Sequence, residues 1–272
     1  AQVDVSDAKR RLTSKTTGIA VTHLYGAPVD IEAVQDLAKG KGLKVVYDAA
    51  QAHLATWRGR GLGEFGDAVT YSFYATKNLA TGEGGMITCN DDALARQIKL
   101  LRSHGETDKY LHEQVGYNYR MNDITGAIGC SRLDRLAKET DARRAAAARY
   151  GALLSGLRGL RPLDVHAGGV SAYHLYTVVM DTSAFRCTRD EFCKALNAEG
   201  VPTAVHYPRT LPQQPAFKKF ADAQRAGPHG GWASAERLSQ GVFCLPMHHG
   251  LTDAHFATLE AALRKVSDAY RA

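Results

Sequence analysis

No stretch of this chain approaches the roughly 20 consecutive apolar residues that a membrane-spanning helix needs, so a transmembrane reading fails. Low-complexity linkers and internal repeats are also absent. The five cysteines, Cys89, Cys130, Cys187, Cys193 and Cys244, are odd in number and form no CxxC pair. That excludes a disulfide framework and a zinc knuckle, and a reducing cytoplasm is the expected compartment. The opening Ala1-Gln2-Val3-Asp4 has no initiator Met, no basic n-region and no apolar h-region, so no secretory signal is read there.

What is present is the composition of a globular protein. With 272 residues, 44% of them hydrophobic, the chain can fill one large core or two modest ones, and disorder is excluded. The net charge of +6, from 34 basic and 28 acidic residues, suits an anionic small substrate or cofactor. Nucleic acid is not expected as a partner. The tightest basic cluster, Arg143-Arg144, lies in an Ala-rich helical stretch without interleaved aromatics and reads as a solvated helix face.

The first half alternates strand and helix signals. Strands are expected over residues 17–24, 43–47, 68–74 and 85–89; Asp30 opens a helix through Lys39, and Asp91 caps one running towards His104. Such alternation argues for a largely parallel sheet covered on both faces. Residues 122–157 read as a long helix interrupted near Gly151. Beyond Pro162 come a strand (173–180), a helix (188–199), another strand (201–206) and two terminal helices. The pattern divides the chain into a large domain over residues 1–150 and a smaller α+β domain over 151–272.

Three short stretches carry chemistry: Tyr47-Asp48-Ala49-Ala50-Gln51-Ala52-His53, Tyr71-Ser72-Phe73-Tyr74-Ala75-Thr76-Lys77-Asn78-Leu79, and Thr81-Gly82-Glu83-Gly84-Gly85. Asp48 sits where an apolar strand ends and Lys77 follows another strand. In open α/β sheets ligands bind just beyond the carboxyl ends of the strands, so the two can face one crevice. Pyridoxal phosphate needs such a pair: a lysine amine for the Schiff base and an acid to keep the pyridine nitrogen protonated. Taken singly, an Asp capping a turn and a solvated Lys are the ordinary alternatives.

The words Asp-x-Ala-Gln and Ser-Phe-x-x-x-Lys-Asn-Leu, followed by a Gly-Gly turn into a strand, resemble the DegT/DnrJ/EryC1/StrS family of pyridoxal-phosphate sugar aminotransferases. The resemblance continues through Leu101-Arg102-Ser103-His104-Gly105, Gly116-Tyr117-Asn118-Tyr119-Arg120-Met121 and His206-Tyr207-Pro208. It implies an aspartate-aminotransferase-like α/β fold with a mainly parallel sheet and a smaller C-terminal domain. By the same resemblance, Lys77 is the Schiff-base lysine and proton shuttle, and Asp48 the pyridine-nitrogen partner. Gln51 packs on the ring and reaches its phenolic oxygen, Ser72 binds the phosphate, and Asn118 reaches a phosphate across a dimer interface. His206 and Tyr207 line the sugar pocket. Plainer roles stay open for these residues: ordinary polar residues at Gln51 and Ser72, a left-handed turn at Asn118, strand-edge residues at His206 and Tyr207. His104 and Arg120 are expected to serve structural hydrogen bonding, and no metal is expected, since His248 and His249 show no ligand spacing.

The resemblance further implies transamination of a keto-sugar, nucleotide-linked or cyclitol, with glutamate or glutamine as donor. Two alternatives remain: a sugar dehydratase, against which Lys77 argues because such members usually carry histidine there, and a non-catalytic partner subunit. Two departures stand out. Pro212 lies where the family commonly has a second histidine, which leaves the substrate open. The opening residues match the middle of the family's large domain, without its phosphate-binding helix and ring-stacking aromatic. A homodimer, or a hetero-oligomer with a chain that supplies the upstream part, is accordingly expected, with weak cofactor binding by the chain alone.

Overall fold

The computed structural model describes residues 2–225 and 230–272. In chain order the first half holds α1 (Val5–Arg11), β1 (Gly18–Thr22), α2 (Ile31–Lys39), β2 (Lys44–Asp48), the short β3 (Thr56–Trp57) and β4 (Arg60–Gly61), β5 (Ala68–Ser72), β6 (Gly85–Thr88) and α3 (Asp92–Arg102). A small hairpin of β7 (Glu106–Asp108) and β8 (Leu111–His112) leads to α4 (Asp123–Leu154). Then follow β9 (Leu160–Pro162), β10 (Gly169–Val170), β11 (Tyr176–Met180), α5 (Arg189–Ala198), α6 (Lys218–Arg225), α7 (Ala233–Gly241), β12 (Val242–Leu245) and α8 (Asp253–Tyr270).

The central sheet has the order β1-β2-β5-β6. β1, β2 and β5 run parallel, with Thr22 opposite Asp48 and Asp48 opposite Thr70, and β6 returns antiparallel to β5. Period-2 alternation sends Val21, Val45, Tyr47 and Val69 into one core, together with Ile31, Val34 and Ala38 from α2. The expected start of α2 holds: Asp30 accepts a hydrogen bond from the Ala33 amide at 3.0 Å and caps the helix. The expectation of a sheet covered on both faces does not hold among the described residues. Ala20, Thr22 and Val46 on the opposite face are exposed, Met86 and Ile87 of β6 are about half exposed, and α3 buries none of its residues. The apolar side chains of β2 alone could not disclose which face is packed.

A second core gathers β9, β11, β12, α5 and α8 around Tyr150, Leu154, Val178, Phe192, Leu196, Phe243 and Leu263. α4 belongs to both halves. Its Leu136 packs with Phe73 and Leu79, while Ala146, Ala147, Tyr150 and Leu154 enter the second core. The helix is capped by Asn122 and runs unbroken to Leu154, so the expected interruption at Gly151 is corrected. A lone glycine costs a helix only about 1 kcal/mol, which the packed neighbours Tyr150 and Leu154 offset.

The strand expected at residues 201–206 is also corrected. Only an isolated bridge between Ala204 and Cys244 forms there, since Pro202 brings no amide to a ladder. The strand that does extend this sheet is β12, paired antiparallel with β11 and fully buried. The strand expected over residues 173–180 is β11, between β12 and β9, and it begins at Tyr176 because Tyr173 takes φ 44°.

The segment that leads into β11 is stitched to the first core at Gly26. Its carbonyl accepts from the Ala172 amide (2.9 Å) and the Ser171 hydroxyl (3.0 Å). Gly26 has φ +95°, and a Cβ there would stand 2.8 Å from the Gln51 carbonyl oxygen and 2.9 Å from the His174 nitrogen. No L side chain fits, either by conformation or by space. Gly26→Ala is expected to destabilise the chain by more than about 2 kcal/mol, read as a lower urea midpoint; an unchanged midpoint would contradict the stitched arrangement.

Candidate active site

Three parallel strands that start at one edge must end at the other, and here each end delivers a segment to the same edge of the sheet, where such folds place their crevice. β1 hands over to His23–Tyr25, β2 ends at Asp48 and continues to Gln51 and His53, and β5 ends at Ser72 before the Lys77 loop. Backbone bonds fasten the first two ends together: the His23 amide donates to the Asp48 carbonyl (2.9 Å), and the Ala49 amide to the Thr70 carbonyl (2.8 Å).

Asp48 is half-buried. Its Oδ1 accepts the Ala50 amide at 2.9 Å, which is the turn-capping role, while Oδ2 accepts nothing from the described residues. Ser72, also half-buried, accepts weakly from the Tyr74 amide at 3.3 Å. Lys77 is half-buried, not a solvated surface residue, and its amide closes a turn onto the Tyr74 carbonyl at 2.9 Å. The loop beyond it is pinned by Thr81, whose amide donates to the Phe73 carbonyl and whose hydroxyl donates to the Glu83 carbonyl. Gly82 and Gly84 turn the chain at positive φ so that the Phe73 amide reaches the Gly84 carbonyl.

Asn78 anchors the lysine loop across a long stretch of sequence. Its Nδ2 donates to the Ala172 carbonyl (3.1 Å), which fixes the amide orientation and turns Oδ1 towards His174 Nδ1 at 3.3 Å. His174 therefore carries its proton on Nδ1. Arg143 of α4 braces the same segment, donating to the carbonyls of Tyr173, His174 and Met247.

Gln51 is buried and both ends of its amide are engaged. Oε1 accepts the Tyr25 amide at 2.6 Å, and Nε2 donates to the Tyr207 hydroxyl at 3.3 Å. The Tyr25 hydroxyl in turn donates to the His206 carbonyl at 2.5 Å. His206 and Tyr207, taken from the second half of the chain, thus stand over the crevice formed by the first.

The histidines report the same gathering. His174 is pushed down to about 3 by burial, then by the charges of Lys77 and Arg143 and by His53 and His206. His53 is pushed down to about 4 by burial and the Lys77 charge, against an opposing backbone contact from Ser72. It lies beside Tyr71 and Phe73, and neither ring nitrogen completes a hydrogen bond. His206 is lowered by burial and by Lys77. His23, stacked on Tyr47 and accepting the Val29 amide, is held near 4 by burial.

Asn118 lies apart from this group. It is exposed and bridges Ser103 in an extended pairing, so the left-handed alternative is excluded. His104 takes φ 61° and bonds through its backbone to Tyr117 and His112. Arg120, expected to bond structurally, is exposed and hydrogen-bonds no described residue. Sequence reasoning missed Tyr25 and Asn78 as organisers, and the reading of Arg143-Arg144 as a solvated helix face is corrected: both are half-buried and donate to backbone carbonyls of distant segments. Asn78 had a signal in its place beside Lys77, but Tyr25 and Arg143 act through partners far along the chain. Among the described residues no group of three or more His, Cys, Asp or Glu side chains could hold a metal, and no helix is long and apolar enough to cross a membrane.

Over residues 1–264 the chain matches the DegT/DnrJ/EryC1/StrS aminotransferase family. It is similar to a pleiotropic regulatory protein of Geobacillus stearothermophilus, 37% identical over 99% of this chain and 69% of that one. A UDP-N-acetyl-3-dehydro-α-D-glucosamine 3-aminotransferase of Acidithiobacillus ferrooxidans is 35% identical over 96% of this chain and 67% of its own length. The crystal structure of Streptomyces venezuelae DesV superposes with a TM-score of 0.89 at 33% identity, covering 98% of this chain and 69% of DesV. The chain thus spans about two thirds of the length of these relatives.

A pH prediction follows from the buried imidazoles. Unfolded, His23, His53 and His174 take up a proton near 6.5; folded, they stay neutral to about 4, 4 and 3. Unfolding in acid therefore binds protons. Their contribution to stability is complete above about 6.5 and is lost as pH falls towards those lower values. At pH 5 the loss is on the order of 2 kcal/mol per histidine. Urea midpoints measured from pH 7 to 4.5 should fall steeply below 6.5, and His174→Gln should flatten that fall.

Proposed function

Because the chain belongs to the DegT/DnrJ/EryC1/StrS aminotransferase family, whose enzymes depend on pyridoxal phosphate, we propose that it moves an amino group onto a keto-sugar. The sugar is nucleotide-linked or a cyclitol, and glutamate or glutamine is the donor. The observation that carries this reading is the pair of adjacent parallel strand ends, Asp48 and Ser72, with Lys77 on the loop between β5 and β6.

The side chains fit the cofactor. A carboxylate oxygen, Asp48 Oδ2, is left without a protein donor; a hydroxyl, Ser72 Oγ, is only weakly engaged; and a half-buried amine stands near three neutral histidines. When bound, pyridoxal phosphate supplies an aldehyde that takes up amines and a ring that accepts electrons from a neighbouring carbon. Asp48 would hold the pyridine nitrogen in its protonated form, since a carboxylate beside it favours the charged ring. Lys77 Nζ would bind the aldehyde carbon between turnovers and, once displaced by an amine, take the proton from the substrate carbon and return it. His53 and His174, held neutral by burial, add no positive charge beside that amine.

Ser72 would donate to the phosphate, and Asn118, exposed and away from the crevice, would serve the phosphate of a second copy. Gln51 presents the flat side of an amide clamped at both ends, with one Nε2 hydrogen left for the cofactor's phenolic oxygen. His206 and Tyr207 would form the sugar-facing wall. Residues 1–150 make the cofactor-binding part and 151–272 the smaller domain, with α4 as the shared spine.

Borohydride reduction of the loaded protein followed by peptide mapping should place the pyridoxyl label on Lys77; a label elsewhere would sink the assignment. Lys77→Ala should abolish turnover with the circular dichroism spectrum unchanged. Asp48→Asn should still take up the cofactor but lose roughly 100-fold or more in turnover, a few kcal/mol of transition-state stabilisation. Near-normal activity would reduce Asp48 to its turn-capping role.

A further inference from the structure

The clamp on Gln51 has a direction. A backbone N–H can only donate, so the amide atom 2.6 Å from the Tyr25 nitrogen is the oxygen, and the atom facing Tyr207 is the NH2 group. A phenol that accepts a hydrogen bond keeps its own proton for another partner. The Tyr207 hydroxyl donates to no described residue, and the residue is 48% exposed, so that proton is left for a partner from outside the chain.

Tyr25 governs both ends of this arrangement. It is 5% exposed and sits at φ 60°, a conformation in which its amide points at Gln51 while its hydroxyl reaches the His206 carbonyl. A non-glycine residue in that region persists only when its surroundings hold it there. Those surroundings include the glycine stitch: the Leu175 amide donates to the Tyr25 carbonyl at 3.3 Å, one residue before Gly26. Tyr25, Gln51, Tyr207 and His206 thereby close a ring of contacts that joins the cofactor side of the crevice to its opposite wall.

We propose that Tyr25 and Gln51 are positioning residues that make Tyr207 a hydrogen-bond donor to an oxygen of the bound sugar. Tyr25 fixes the amide orientation and holds the His206–Tyr207 segment; Gln51 occupies the acceptor side of the phenol; Tyr207 spends its proton on a sugar hydroxyl or carbonyl. The inference rests on the sugar-transaminase reading, and it adds to that reading the residue that reads a sugar oxygen and the sense in which it does so.

The test uses the full chain loaded with pyridoxal phosphate and titrated calorimetrically with dTDP-glucose and UDP-N-acetylglucosamine, which carry neither the amine nor the ketone needed to react. Tyr207→Phe should weaken binding about tenfold, the size of one net hydrogen bond. Gln51→Glu should do the same, because a carboxylate in place of the NH2 group accepts the Tyr207 proton and withdraws it from the sugar. The double variant should bind no more weakly than either single one, since both remove the same donor. Tyr25→Phe should weaken binding while the cofactor's visible absorption stays unchanged, and in turnover its KM should rise more than its kcat falls. If the wild type binds a probe and Tyr207→Phe binds it equally well, or if the effects of Gln51→Glu and Tyr207→Phe multiply, the inference is overturned and the transaminase reading stands. If the loaded wild type binds neither probe, the sugar-nucleotide reading fails and this inference falls with it.

Discussion

Parallel strands release their loops at the same edge, and the pairing of β1, β2 and β5 in register is the constraint from which the crevice follows. Thr22, Asp48 and Thr70 lie side by side across the sheet, so whatever follows them in sequence is delivered to one place. The acid comes at the end of β2, the hydroxyl at the end of β5, and the lysine on the loop that turns into β6. A shift of a single residue in any pairing would send Asp48 to the other face of its strand and dismantle the arrangement. The backbone bonds His23 to Asp48 and Ala49 to Thr70 extend that register past the strand ends, where the chemistry lies.

Around this frame the molecule accepts local costs. Tyr25, His104 and Tyr173 take positive φ without being glycine, and three histidines are buried in a form that acid disfavours. Three of these penalties have a specific partner: the Gln51 amide for Tyr25, the Asn78 amide for His174, the Tyr47 ring for His23. Gln51 and Asn78 belong to the candidate site, so part of the strain and the function share residues. That is where locally unfavourable choices are expected to collect.

The strand-end acid, the lysine loop and the capped helices were legible because their signals are short-range. Asp30, Asp91, Asn122 and Thr188 each sit one residue before a helix and cap it. The errors have a common cause in contacts between distant residues. Residues 201–206 look extended, but Pro202 and the approach of Cys244 allow only one bridge there, while β12 hides in four residues directly after a helix. Likewise, nothing near Gln51 in sequence discloses that Tyr25 and Tyr207, 26 and 156 residues away, would seize both ends of its amide. Which face of the sheet is packed was equally invisible, since Val45 and Val46 are the same residue type with opposite fates.

α4 has a mechanical consequence. Leu136 rests against Phe73 and Leu79, which bracket the lysine loop, and Tyr150 lies at the heart of the second core. On an unbroken helix these two points are about 21 Å apart along a single stiff rod. A rod held at both ends behaves as a lever. A tilt of the second core about its own centre would swing the Leu136 end sideways, moving the floor beneath Lys77 while the sheet edge that carries Asp48 stays still. The packing beneath the lysine loop is thus tied through one continuous helix to the second core, on the far side of the chain from the strand ends.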